Sequence, residues 1–207
     1  MTEPARPKPN GRLTLGLLLI GTGRPAGFAQ FGATRDAFLA SLAPWLGLLI
    51  VLSGTIAWAG KPIVALAFFL VTICNLLAPA VIADAFCRLW QRRENWALYA
   101  NVLNCSQWLM VAAFLLLLPL ASLTVPLGAS LQTATWLLMA SWAGYVIWFH
   151  WFAARHALNI SRGRAAIVML TVIFGTGILL QIPSLLVGKS TLDRLGNSID
   201  KLARPSE

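Results

Sequence analysis

The chain has 207 residues, of which 58% are hydrophobic and only 11% charged, whereas a soluble domain is about 25% charged. That shortage of charge puts most of the chain in lipid and excludes a disordered segment, a collagen-like fibre and a disulfide-stapled secreted domain. Lys+Arg 16 outweigh Asp+Glu 7, yet the basic residues fall between apolar runs, as membrane orientation requires, and no basic stripe interleaved with aromatics offers a nucleic-acid surface.

Residues 1–37 form a basic arm. Its apolar run "LTLGLLLI", Leu13–Ile20, is too short to cross a hydrocarbon core about 30 Å thick. It follows Arg6, Lys8 and Arg12 in the manner of a signal peptide, but "GTGRPAGFAQ" supplies no A-x-A-like cleavage site after it. The expectation is an interfacial helix along the headgroups, with Phe28 and Phe31 dipping into the same boundary. Five longer runs follow: Phe38–Ala59, Pro62–Phe86, Tyr99–Ala121, Leu131–Phe152 and Ala165–Val187. Each reads as a helix, because lipid satisfies no open backbone groups and none of the runs has the polar alternation of a barrel strand. The expected fold is thus an all-α integral membrane protein. A five-transmembrane-helix bundle occupies residues 38–187, with a short N-terminal interfacial segment before it and a polar tail at 188–207.

The loops orient the bundle. Arg6, Lys8, Arg12, Arg24 and Arg35 precede the first span; Arg88, Arg92 and Arg93 follow the second; Arg155, Arg162 and Arg164 follow the fourth. The alternate connections carry only Lys61. Eleven basic residues against one place the N-terminus on the cytoplasmic side, and the Ala- and Arg-rich style of the chain points to a bacterial inner membrane. The six arginines from Arg88 to Arg164 are expected to favour anionic lipid headgroups. The stretch "WFHWF", Trp148–Phe152, reads as an aromatic belt at the same boundary.

Polar residues inside the spans are the candidates for function. In "YANVLNCSQWLMV", Asn101, Asn104, Cys105 and Trp108 share one helical face and Gln107 flanks it, roughly 9 Å deeper than Asn101. The second span offers partners: Asp84 near the estimated depth of Asn101, and Asn75 near the membrane centre. Pro79 cannot donate to the carbonyl of Asn75, so a side-chain amide and a released backbone oxygen occur at one level. These residues line a path or lipid cleft, or they are interhelical glue with Asp84 reaching for Arg88 one turn on. The small-xxx-small pairs Ala43/Gly47, Ala140/Gly144 and Thr171/Gly175 fit a packed bundle.

Catalytic and cofactor chemistry has little to stand on. "GTGRPAG" at Gly21–Gly27 lacks the strand–helix context of a phosphate cradle, and "GKS" at Gly188–Ser190 lacks the first Gly of a P-loop. His150 and His156 have no metal-ligand spacing, and Cys74, Cys87 and Cys105 form no CxxC pair and read as packing residues. No nucleophile–base pair, metal site or cofactor is expected.

Three stretches together form a larger pattern: "FAQFGATRDAFLASLAP" leading into the first span, "YANVLNCSQWLM" opening the third, and "VIWFHWFAARHALNISRGRAAIVMLTVIFGTG" joining the last two. Over residues 28–187 the chain resembles the Yip family of Rab-interacting-type membrane proteins, in its bacterial form. The resemblance implies five spans, a cytoplasmic N-terminus and a non-enzymatic role in membrane organisation or partner binding. The Asp-Leu-Tyr-Gly-Pro signature of eukaryotic members is absent, "RDAF" at Arg35–Phe38 being no substitute, so no site residue is carried over. Two other readings stay open: a small transporter or channel using Asn75/Pro79 and Asn104/Gln107, and a lipid-headgroup enzyme near Asp84 and His150.

Overall fold

The computed structural model describes residues 12–186. Within them lie a short helix α1 (Leu13–Gly21), a 3₁₀ segment (Pro25–Gln30) and five long helices: α2 (Arg35–Trp58), α3 (Pro62–Leu89), α4 (Trp96–Ser122), α5 (Leu131–Ala157) and α6 (Arg162–Leu186). All five long helices are long and apolar enough to cross a membrane. No strand occurs among the described residues. The chain is an all-α, multi-pass membrane protein. The expected polar tail at 188–207 and the span end at Val187 lie outside the described residues.

Two spans begin at the expected residues, Pro62 and Leu131. At the ends carrying arginine the helices run on by several residues. Apolarity marks only the part of a helix that lipid covers, whereas its ends are set by caps. Thr34 caps α2 by accepting a hydrogen bond from the Ala37 N–H (3.2 Å), with Asp36 in the first turn. Ser130 caps α5 in the same way through the Thr133 N–H (3.1 Å). Between α2 and α3 the chain turns at Gly60, whose φ of +78° only glycine adopts freely, and Pro62 then opens α3 where its missing N–H costs nothing.

The long helices form a ring in which α2 packs on α3, α3 on α6, α6 on α5, α5 on α4 and α4 on α2, while α3 and α4 also touch across the middle. Burial is concentrated at one end of this ring, the end that carries Arg35, Arg88, Arg155 and Arg164, here termed the basic end. Phe149, Tyr99, Val102, Val168, Ala153, Ala154 and Cys87 form its core. The opposite, far end buries few side chains, chiefly Leu49, Ala65, Ala134 and Leu138, and exposes Val51, Ile63, Leu116, Leu131 and Trp136. Among the small-residue pairs only Gly175 packs closely, with Ile82 Cδ1 3.1 Å from where its Cβ would lie, while Thr171 is exposed; Gly47 and Gly144 meet nothing within 4 Å. Ala43/Gly47 and Ala140/Gly144 face outward, so these two pairs do not contribute to the packed bundle.

The N-terminal segment departs from expectation in one respect. Leu13, Leu15 and Leu18 keep the exposed apolar face of an interfacial helix. Phe28 and Phe31, however, do not dip into the headgroup boundary; both are buried in the main core with Ile20. Phe28 packs on Phe152 (ring centroids 5.6 Å apart) and on His156 (6.0 Å). Glycines make this docking possible. A Cβ on Gly27 would lie 2.7 Å from the Gly16 carbonyl oxygen, and one on Gly16 would lie 2.8 Å from Gln30 Cβ, so α1 and the 3₁₀ segment touch backbone to backbone. The hydroxyl of Tyr145 on α5 donates to the Gly21 carbonyl (3.1 Å) and fixes the end of α1.

Candidate functional site

Two polar sites occupy the basic end. The first is the amide face of α4. Asn101 and Asn104 are both buried, and each amide reaches a partner outside its own helix. Asn101 Nδ2 donates to the carbonyl of Gly32 (2.9 Å), just before α2. Asn104 Nδ2 donates to Ser41 Oγ on α2 (3.2 Å), while the indole N–H of Trp45, one turn along α2, donates to the Asn104 carbonyl (3.1 Å). Trp108 then stacks on Trp45 with centroids 4.5 Å apart, and Cys105 Sγ lies 3.5 Å from Asn101 Oδ1. The expected shared face of Asn101, Asn104, Cys105 and Trp108 therefore exists, and it faces α2.

The partners differ from those expected. The second span was to supply Asp84 and Asn75 for the amides, because a short connection makes α3 and α4 neighbours. They do touch, but the amide face turns toward α2 and the segment preceding it. Asp84 instead pairs with Arg88 one turn on, as the i, i+4 spacing anticipates. Asn75 is half-buried, and its Oδ1 is buried without a hydrogen-bond partner. Pro79 is buried within an α3 that continues past it. Gln107 is half-buried and makes no hydrogen bond with the amide cluster. The six candidates thus separate into a bonded pair (Asn101, Asn104), an ion-paired Asp84, and Asn75, Pro79 and Gln107, which join neither.

The second site is a cleft of about 540 Å³ between the start of α2, the last turns of α3 and the start of α4. Its polar lining is Arg35, Asp84, Arg88 and Arg93. Its apolar lining comes from Phe38 and Trp96, which meet edge to face at 5.6 Å, and from Leu77, Ala80 and Val81 of α3. Neither Asn75 nor Gln107 lines it. Arg35 and Arg93 have no carboxylate partner among the described residues, so one acidic group faces three guanidinium groups there.

Sequence reasoning weighed Asp84 and Arg88 together but missed Arg35, Phe38 and Trp96 as their neighbours. In the sequence Arg35 counts toward orientation and opens the "RDAF" stretch, with no link to α3. The usable signal was its place in the first turn of α2, three residues before an inward-facing Phe38. Ser41 and Trp45 were missed as amide partners for a similar reason: a Ser and a Trp in an apolar run carry no mark of what they face.

Two further arginines of the basic end lie against tryptophans. Arg155 lies over the Trp151 ring at 5.6 Å and Arg164 over the Trp90 ring at 5.3 Å. Trp151 also donates its indole N–H to the Arg162 carbonyl (3.2 Å), tying α5 to the start of α6. His150 Nδ1 lies 2.8 Å from the Val146 carbonyl of its own helix, and the His156 ring packs on Phe152 at 4.7 Å. No group of His, Cys, Asp and Glu able to hold a metal occurs among the described residues. In comparisons with known proteins, no family model, curated protein or solved structure matches the chain.

Proposed function

We propose that this chain is a non-enzymatic, multi-pass protein of a bacterial inner membrane, with its basic end in the cytoplasm and a Yip-type role in membrane organisation or as a partner-binding assembly subunit. One observation carries the choice over a transporter. The Asn101 and Asn104 amides of α4 are engaged in bonds to the Gly32 carbonyl and Ser41 and lie against the Trp45–Trp108 stack, an arrangement that closes the helices rather than opening a path between them. Amides used in this way contribute about 0.6 kcal/mol each on average and fix which helices are neighbours. The Yip assignment itself rests on the sequence patterns, and the five long apolar helices agree with what it implies. The arginine excess of the basic end supports both the cytoplasmic orientation and a contact of Arg88, Arg92, Arg93, Arg155, Arg162 and Arg164 with anionic lipid headgroups. At the far end, the exposed Val51, Leu116 and Trp136 leave a wide apolar surface for lipid or another membrane protein.

Purification of the tagged protein in native lipid patches, followed by mass spectrometry, tests this reading. A stoichiometric membrane-protein partner is the expected result. A second reading has its own observation, the unpartnered Asn75 Oδ1 four residues before Pro79. A solitary protein that moves a solute across vesicles, and stops doing so on Asn75→Leu, would replace the assembly role with transport.

A further inference from the structure

The cleft between α2, α3 and α4 has the layout of a site for a single amphiphile. On α3, Leu77, Val81, Asp84 and Arg88 follow one another at intervals of four, three and four residues, so they form one stripe along the helix. The stripe runs from the apolar interior to the charged edge over roughly 16 Å at 1.5 Å per residue. Leu77 and Val81 are exposed, open to the acyl region of a bilayer. At the outer end Arg35 from α2, Arg88 from α3 and Arg93 from the turn before α4 converge on the same space. Three separate elements thus bring guanidinium groups to the mouth of a groove whose walls are Phe38, Trp96 and aliphatic side chains.

We propose that this cleft binds one anionic glycerophospholipid of the phosphatidylglycerol kind. Its phosphodiester lies among Arg35, Arg88 and Arg93, and an acyl chain follows Val81 and Leu77 inward. Guanidinium groups suit this role because their forked donors match phosphate oxygens and their charge persists at every physiological pH. With one carboxylate against three guanidinium groups, the cleft lining carries two excess positive charges, which favour an anionic headgroup over a zwitterionic one. Asp84 refines the choice. Its Oδ2 holds Arg88, which leaves Oδ1 to accept a hydrogen bond from a headgroup hydroxyl. A glycerol headgroup has such hydroxyls beside its phosphate, whereas a choline headgroup has none. The inference deepens the lipid contact proposed above and rests on it, but it assigns that contact to one built site and adds Arg35, which the orientation argument alone did not single out.

The test is native mass spectrometry of the full-length protein released from bilayer discs of mixed phosphatidylglycerol, phosphatidylethanolamine and phosphatidylcholine. The wild type should retain one phosphatidylglycerol in preference to the other two lipids. Arg35→Gln and Arg93→Gln should each weaken that retention about fivefold. Val81→Trp, which obstructs the groove without changing charge, should weaken it as well and stands in if an arginine variant fails to fold. Arg24→Gln removes the same charge at an exposed position outside the cleft and should leave retention unchanged. Equal losses in Arg24→Gln and Arg93→Gln would overturn the cleft while leaving a general anionic preference intact. No lipid preference in the wild type would overturn the proposed lipid contact too. Displacement of the bound lipid by millimolar inorganic phosphate would mark a soluble-anion site and overturn the lipid assignment.

Discussion

The two ends of this bundle are built from helices of similar apolarity, yet they are packed in different ways. At the basic end, Ala83, Ala153, Ala154, Ala157 and Ala165 are buried among Phe149, Phe152 and Tyr99, and an N-terminal hairpin closes over them. At the far end the same helices bury few side chains, and Ile63, Leu66, Leu115 and Leu131 stay exposed. In lipid, apolar surface alone gives helices no reason to associate, because the acyl chains are as apolar as leucine. What holds helices together there is interdigitation, close backbone approach and interhelical hydrogen bonds. The basic end has all three. The far end has little of any, so its outward surface belongs to lipid or to a partner.

The largest expected effect separates the ends by packing. Phe149 is fully buried, with 0% of its surface accessible, and Leu116 is 67% accessible. Phe149→Ala should destabilise the bundle by about 2 kcal/mol, the cavity contribution alone, since lipid already surrounds the unpacked helix. Leu116→Ala should change stability by less than about 0.5 kcal/mol. Thermal unfolding of both variants in one detergent checks the pair, and equal losses would break the comparison.

A smaller effect is expected from close approach. Gly27→Ala forces a Cβ against the Gly16 carbonyl and should cost about 1–2 kcal/mol, because backbone cannot yield as a side-chain tip can. Limited chymotrypsin cleavage after Phe28 and Phe31, both buried in the docked hairpin, should accelerate as it loosens. Gly144→Ala, with nothing within 4 Å, should be neutral or mildly stabilising through helix propensity.

Next come the hydrogen bonds. Asn104→Leu should cost about 0.6–1.7 kcal/mol, with most of that loss coupled to Ser41 in a double-mutant cycle with Ser41→Ala. Gln107→Leu should cost less and show no coupling to Ser41. The smallest effect belongs to Tyr99, whose hydroxyl is buried without a hydrogen-bond partner. Tyr99→Phe should leave stability within about 0.5 kcal/mol of the wild type or raise it, as measured by the same unfolding assay.

The contrast between the ends also separates what the sequence disclosed from what it did not. The apolar spans were legible because crossing lipid demands long uninterrupted apolarity, and at Pro62 and Leu131 the apolar run happens to begin where the helix starts, at a first-turn proline and after the Ser130 cap. It is blind to packing: Phe149 at the core and Leu116 in lipid look alike in a hydropathy profile. The amide face of α4 was legible from the spacing of Asn101, Asn104 and Trp108, but its partner was not. Chain proximity favoured α3, whereas the close fit of Trp45 on Trp108 turns that face to α2. Phe28 and Phe31 were legible as apolar residues meeting a boundary; their burial depends on Gly16 and Gly27 approaching one another, which no periodicity encodes. Arg35 illustrates the same point for the cleft, since its neighbours there lie far along the chain on α3 and α4.

The most direct test of the central claim, that the basic end is the packed half and includes the N-terminal hairpin, is hydrogen–deuterium exchange of the protein in lipid discs. The segment from Gly16 to Phe31 precedes the first span and has access to water unless it is docked. The account predicts slow exchange at Gly16, Ile20, Gly27 and Phe31, comparable to the first turns of α4. Exchange of those amides at the rate of a free peptide, with α4 still protected, would contradict it.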